Sequence, residues 1–125
     1  MTGGTVLVAD DEAGIRRILT RILENDGFQV ICAEDGQECV DLFRARSDEL
    51  VLVILDLTMP RLGGEEVFRE LRSISSDLPV ILSSGYDEEE STAILRSDGF
   101  TRFLRKPYDA STLLEVVYLS LDRPK

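Results

Sequence analysis

From end to end the chain alternates between short unbroken apolar runs and longer stretches whose apolar residues recur at helical spacing. "TVLVA" (5–9) opens the series as a strand. Ile15, Ile18, Leu19, Ile22 and Leu23 then follow the stripe of an amphipathic helix, and Gly27 stands where such a helix stops. "FQVICA" (28–33) predicts a second strand, and a helix over about 36–46 follows it, burying Cys39, Val40, Leu42 and Phe43. "LVLVIL" (50–55) has no polar alternation, so it reads as a strand covered on both faces, the kind found inside parallel sheets. After a loop over 60–64, a helix turns Val67, Phe68 and Leu71 inward. "LPVILSS" (78–84) is a fourth buried strand that tolerates Pro79 at its start, and "FTRFL" (100–104) is a fifth, more polar and therefore expected at an edge. A final helix over about 109–121 buries Leu113, Leu114, Val116, Val117 and Leu121, with Asp109 or Ser111 as its N-cap.

One predicted helix differs from the rest. "DEEESTAILRS" (87–97) places acids where the helix dipole favours them, but it offers only Ala93, Ile94 and Leu95 to a core. The thin stripe makes it the loosest-held helix of the set and a candidate switch element. Five β–α units in succession require right-handed crossovers, hence an α/β fold with a parallel sheet and helices on both faces. No repeat, linker or low-complexity tract divides the chain, which reads as one domain over 1–125 with its core at about 5–121.

Composition narrows the possible partners. The 24 acids against 14 bases give a net charge of −10, which disfavours nucleic acid and anionic lipid and leaves cations and proteins open. No apolar run approaches a membrane span and no signal-peptide pattern opens the chain, so a cytoplasmic protein without membrane insertion is expected. Cys32 and Cys39 lack C-x-x-C spacing and read as small hydrophobes rather than as a disulfide or zinc ligands. With no histidine in the chain, any histidine chemistry has to come from a partner.

The ends of parallel strands gather along one sheet edge, where open α/β folds place their chemistry. The first strand ends at Asp10-Asp11 and the third at Asp56. Two carboxylates about 4 Å apart repel by roughly 4 kcal/mol at an effective dielectric of about 20. Such a cluster needs a compensating cation. Oxygen-only ligands point to Mg²⁺ or Mn²⁺ rather than zinc, and Lys106 in "FLRKPY" ends the fifth strand on the same edge. Three acids, one lysine and one divalent ion are together neutral. Ser84 ends the fourth strand and adds a hydroxyl, with Gly85 behind it leaving room for a small ligand. A carboxylate nucleophile, a metal, an ammonium and a hydroxyl suit phosphoryl transfer. Each residue also has a plainer reading: Asp10 or Asp11 as a helix N-cap, Lys106 as a surface lysine, Phe103 as ordinary core.

Taken together, "LVADDE", "VILDLTMPRLGG", "ILSSGY" and "FLRKPY" resemble the receiver domains of two-component response regulators over about 5–121. The resemblance implies a flavodoxin-like, doubly wound sheet of order 2-1-3-4-5 with five helices on both faces. It implies that Asp56 accepts a phosphoryl group from a histidine kinase or a histidine phosphotransfer protein. Asp11 and Asp56 would hold Mg²⁺ directly, Asp10 would support it, and the backbone carbonyl of Thr58 would complete the protein ligands. Ser84 and Lys106 would contact the phosphoryl oxygens, Ser84 and Phe103 would form the switch, and Lys106-Pro107 would be a cis peptide. Thr58 and Tyr86 would tune self-hydrolysis. The output face toward a downstream protein would comprise the 87–97 helix, the fifth strand and the final helix, with Tyr108 facing a partner. Such a domain assists its own modification and is not an enzyme toward an external substrate.

Ser stands at 84 where many members have Thr, and Gly63 stands where Asp is common. "LSSGYDEEE" and "GFTRFLRKPY" are most similar to receivers of hybrid sensor histidine kinases. Three alternatives stand beside this reading. One is a docking module of the same fold that works without phosphorylation. Another is a small metal-dependent phosphatase, which would want Asp-x-Asp where this chain has "DLT". A nucleotide or flavin domain would want a Gly-rich loop where the chain has "ADDEAG".

Overall fold

The computed structural model describes residues 4–57, 64–85 and 100–121. Strand β1 (Gly4–Ala9) leads into helix α1 (Ala13–Asn25), strand β2 (Phe28–Ala33) into α2 (Gly36–Arg46), and a short 3₁₀ turn (Ser47–Glu49) into β3 (Leu50–Asp56). Helix α3 (Gly64–Ile74), strands β4 (Val80–Ser84) and β5 (Thr101–Arg105) and helix α4 (Ala110–Leu121) follow. All strand pairings are parallel and the order is β2-β1-β3-β4-β5. This is the doubly wound arrangement expected, with β5 at one edge and β2 at the other. The described residues carry four of the five expected helices; the helix expected at 87–97 lies outside them.

Strict alternation along the central strands builds two cores. Leu7, Val53, Leu55 and Leu82 join Val40, Phe43, Val67, Phe68 and Leu71 of α2 and α3 on one face. Val6, Val8, Leu52, Ile54 and Ile81 join Leu19, Leu23, Leu113 and Val117 of α1 and α4 on the other. This is why β3 carries an unbroken apolar run: each of its neighbouring residues serves a different layer.

Several local details depart from expectation. Ile18 belongs to the apolar stripe of α1 yet is 60% exposed, because the stripe is wider than the sheet it covers. In α4 only Leu113 and Val117 of the five expected core residues are fully buried, while Leu114, Val116 and Leu121 lie at the rim. Strand β4 starts at Val80, so Pro79 precedes it, and its carbonyl accepts the Val53 N–H at 3.1 Å. Strand β5 runs one residue later than its apolar pattern suggests.

Two helix starts carry side-chain caps, of which only that of α4 is among the candidates named from sequence. Asp35 accepts the Glu38 N–H at 2.9 Å at the start of α2, and Asp109, not Ser111, accepts the Thr112 N–H at 2.8 Å at the start of α4. Gly27 takes a positive φ of 95° just past α1, a conformation that suits only glycine without strain. Arg72 secures the far end of the sheet. It donates to the Leu78 carbonyl at 2.7 Å and to Thr101 Oγ at 2.9 Å, and lies 5.1 Å over the Phe68 ring.

Candidate functional site

Strand register brings the acids together. β1 and β3 pair directly, Ala9 opposite Leu55, so Asp10 and Asp56 follow side by side at the same sheet edge. Asp56 is opposite Ser83 of β4, Ser84 is opposite Arg105 of β5, and the Lys106 N–H continues that ladder by donating to the Ser84 carbonyl at 2.8 Å. Asp10 and Asp56 are 2% and 1% exposed, while Asp11 is open to solvent. One carboxylate oxygen from each of Asp10, Asp11 and Asp56 lies within 4.8 Å of the other two.

Asp10 is held from three sides. Its Oδ1 accepts the Glu12 N–H at 2.9 Å, its Oδ2 accepts from Lys106 Nζ at 2.9 Å, and its carbonyl accepts from Arg16 Nη1 at 2.8 Å. Glu12, not Asp10 or Asp11, is the N-cap residue of α1 and makes no side-chain cap. The Asp10 side chain instead closes the turn that leads into the helix. Capping and clustering therefore coexist, because the bond to Glu12 also fixes the carboxylate's orientation.

Lys106 Nζ also reaches Asp56 Oδ2 at 3.4 Å. Burial pulls the ammonium's pKa down. The hydrogen bond to Asp10 and the charges of Asp56 and Asp10 outweigh burial and leave the pKa raised above its ordinary value. Lys106 is thus firmly cationic, yet one ammonium against three carboxylates leaves two negative charges in a largely buried place.

The donor set fits a hard divalent cation. Oxygens on opposite sides of a Mg²⁺ ion stand about 4.2 Å apart, so a trio within 4.8 Å needs only side-chain adjustment to share one. The residual charge of the cluster is what such an ion would neutralise.

The other expected site residues are distributed as follows. Ser84 is 1% exposed at the end of β4, and a side chain added at Gly85 would meet nothing within 4 Å among the described residues. Phe103 is half-buried, pairs with Leu82 and packs against the core on the α2–α3 face. Lys106-Pro107 is cis. Thr58, Gly63 and Tyr86 lie outside the described residues.

Tyr108 requires a correction. Its ring packs against the core between the sheet and α1–α4, and its hydroxyl is buried without a hydrogen-bond partner among the described residues. It faces inward, not toward a partner. Burial first, then the charges of Asp10 and Asp56, pushes the phenol's pKa well above its ordinary range. Arg16 was also missed. An arginine on α1 six residues beyond Asp10, next to the apolar stripe, was the signal for it.

The chain matches the family model for the response regulator receiver domain over residues 6–118, and it belongs to that family. It is 38% identical over 109 residues to response regulator MprA of Mycolicibacterium vanbaalenii, covering 87% of this chain and 46% of the relative. The chain spans about half the length of the curated relatives it matches. Among solved structures, a response regulator receiver domain protein from Clostridium thermocellum superimposes with a TM-score of 0.88 at 29% identity, covering 96% of this chain and 95% of that one. A chain of the CheX–CheY–BeF3–Mg²⁺ complex from Borrelia burgdorferi superimposes with a TM-score of 0.86 at 26% identity, covering 98% and 92%. The protein is therefore a receiver domain homologous to CheY-like two-component proteins. In this family of signalling domains Mg²⁺ binding is general, and the phosphoryl group comes from histidine kinases.

Proposed function

We propose that Asp56 is the residue phosphorylated in this chain, by a phosphohistidine of a histidine kinase or histidine phosphotransfer protein. The observation that carries the assignment is the position of the buried Asp56 carboxylate, at the end of β3, within 4.8 Å of oxygens of Asp10 and Asp11 and 3.4 Å from Lys106 Nζ. A carboxylate so placed has an ammonium beside it that can bind phosphoryl oxygens and two further acids that can hold a charge-neutralising cation.

In the transfer an Asp56 oxygen forms a bond to phosphorus while the bond from phosphorus to the donor imidazole nitrogen breaks, and the electron pair returns to the ring. Lys106 offers its ammonium to the transferring oxygens, exchanging part of its contact with Asp56 for them. Ser84 offers a hydroxyl from the neighbouring strand. Asp10 and Asp11, with Asp56 and the Thr58 carbonyl, would hold Mg²⁺ (Mn²⁺ would satisfy the same oxygens), which supplies charge neutralisation for the incoming group. That the Borrelia burgdorferi complex carries BeF3 and Mg²⁺ alongside a chain of this fold supports the same pairing here. Hydrolysis is a separate step: water attacks phosphorus, the bond from phosphorus to the Asp56 oxygen breaks, phosphate leaves and the Asp56 carboxylate is regenerated, and the chain assists both steps.

Phosphorylation would shift the population toward an arrangement in which Ser84 and Phe103 move together and the face carrying β5 and α4 changes. The downstream protein reads that face.

The deciding experiment is intact mass after incubation with a small-molecule phosphodonor, with and without Mg²⁺, for wild type and Asp56→Asn. One metal-dependent phosphoryl adduct, lost in the variant, is the expected result. Folded, Mg²⁺-binding protein without an adduct would overturn the assignment.

A further inference from the structure

Helix α1 borders two grooves of opposite chemistry. Toward the 106–110 turn the groove is apolar, lined by Ile15, Ile18, Leu19 and Ile22. Toward β2 a groove of about 410 Å³ is lined by Arg16, Arg17, Thr20, Arg21, Glu24 and Cys32, among others. Three arginines within six residues are an unusual concentration for a chain whose net charge is −10.

Arg16 is accounted for by the Asp10 carbonyl and by Glu34, 4.0 Å away. Arg17 and Arg21 are not. Both are exposed, and among the described residues neither makes an ion pair or a side-chain hydrogen bond. They stand one helical turn apart, where like charges destabilise a helix. Acids are plentiful in this chain, but none has been recruited to quench them.

The strand beside them is equally unguarded. β2 is an outer strand of the sheet, and its sequence "FQVICA" contains no charge and no proline, the features that ordinarily block pairing at an edge. Val30, Ile31 and Cys32 are only half-buried. An open strand edge and a row of unquenched guanidinium groups therefore border the same groove.

We propose that this groove docks an extended acidic segment of a partner protein, whose backbone adds to the free edge of β2 and whose carboxylates pair with Arg17 and Arg21. Backbone pairing supplies affinity that does not depend on sequence, and the two guanidinium groups select acids and set the register. A polypeptide fits better than a nucleic acid. Among the described residues no aromatic side chain lines the groove for base stacking, Glu24 would oppose a continuous polyphosphate, and the overall charge repels a long polyanion. Neither Arg17 nor Arg21 touches Asp10, Asp11, Asp56 or Lys106, so this surface is chemically separate from the phosphoacceptor site.

The test is an NMR titration of the ¹⁵N-labelled chain with an alternating Glu-Thr octapeptide, against a Ser-Thr octapeptide of the same length. The expected result is saturable amide shifts along 28–33 and around Arg17 and Arg21 with the acidic peptide only, weakened by salt. The double variant Arg17→Glu/Arg21→Glu should bind roughly tenfold more weakly or worse, with an unchanged thermal midpoint and unchanged phosphodonor labelling. Should the double variant not fold, Arg21→Gln serves, with a smaller loss in the same direction. Shifts absent at millimolar peptide, shifts elsewhere on the domain, or binding indifferent to charge reversal would overturn the proposal. Tighter binding of an oligothymidylate at the same residues would overturn it in favour of nucleic acid.

Discussion

Lys106 Nζ stands 2.9 Å from Asp10 Oδ2, a contact that joins the end of the last strand to the end of the first across 96 positions of sequence. Both side chains are largely withdrawn from water, 19% and 3% exposed. Lys106→Met removes the only ammonium these carboxylates share among the described residues and leaves Asp10 facing Asp56. Breaking a buried pair from one side costs about 3 kcal/mol, and that loss is expected in urea unfolding without Mg²⁺, with partial recovery when Mg²⁺ is added. The folded pKa of Lys106 is raised, so the stability it confers is complete below the unfolded value of about 10.4 and is lost as pH rises through the folded value. The gap between wild type and variant should therefore narrow as pH climbs past that unfolded value. A gap that persists there would show the loss to be one of packing, not of charge.

Mg²⁺ should stabilise the wild-type domain without any phosphodonor. An ion that binds only the folded state contributes about 2.7 kcal/mol when present at roughly a hundred times its dissociation constant. The unfolding midpoint should climb with Mg²⁺ concentration, and Asp11→Asn should remove most of that climb while leaving the metal-free midpoint equal or higher. Asp11 is the exposed member of the trio, so its neutralisation relieves repulsion without leaving a buried group unpaired.

Most of this site was legible in the sequence because its parts lie at strand ends. Where β1, β3, β4 and β5 stop is set by where their apolar runs stop, and Asp10, Asp56, Ser84 and Lys106 are the residues at or just beyond those points. Parallel pairing then does the gathering. Residues whose placement depends on helix packing were harder to see. Ile18 carries the right period for burial and is exposed, since periodicity gives a direction but not the width of the surface beneath it. Tyr108 has a polar tip and a position in a turn, which suggested the surface, but its ring had room in the seam between α1 and α4. Nothing in the sequence separates the arginines of α1 from one another; which of them is already partnered depends on the Asp10 carbonyl and on Glu34 beyond β2, which only the fold brings near.

Arg16 should prove a positioning residue for the metal cluster. Its guanidinium fastens the Asp10 carbonyl, and so the turn that presents Asp10 and Asp11. Loss of a group that orients metal ligands typically costs roughly 10–100-fold in affinity, so Arg16→Gln should weaken Mg²⁺ binding by about tenfold in a thermal-shift titration. A purely structural role would lower the metal-free midpoint and leave the Mg²⁺ dependence intact. Arg16→Lys, which keeps the charge and one donor, should restore part of the affinity.

Tyr108→Phe is expected to stabilise the protein. The hydroxyl is buried with no partner among the described residues, and an unsatisfied buried group of this kind costs about 1 kcal/mol or more, while the ring that fills the seam is kept. The phenol's folded pKa is raised, so the folded state resists ionisation that the unfolded chain undergoes freely at about pH 10. Wild type should lose stability as pH climbs past that value, and the variant should lose less. Urea unfolding of the pair at neutral pH and again above the unfolded phenol's pKa checks both statements, and the advantage of the variant should widen at the higher pH. Labelling by a small phosphodonor should be unchanged. If Tyr108→Phe instead destabilises the domain, the hydroxyl has a partner in the folded protein, and a second unfolding series with Mg²⁺ would show whether the metal site supplies it.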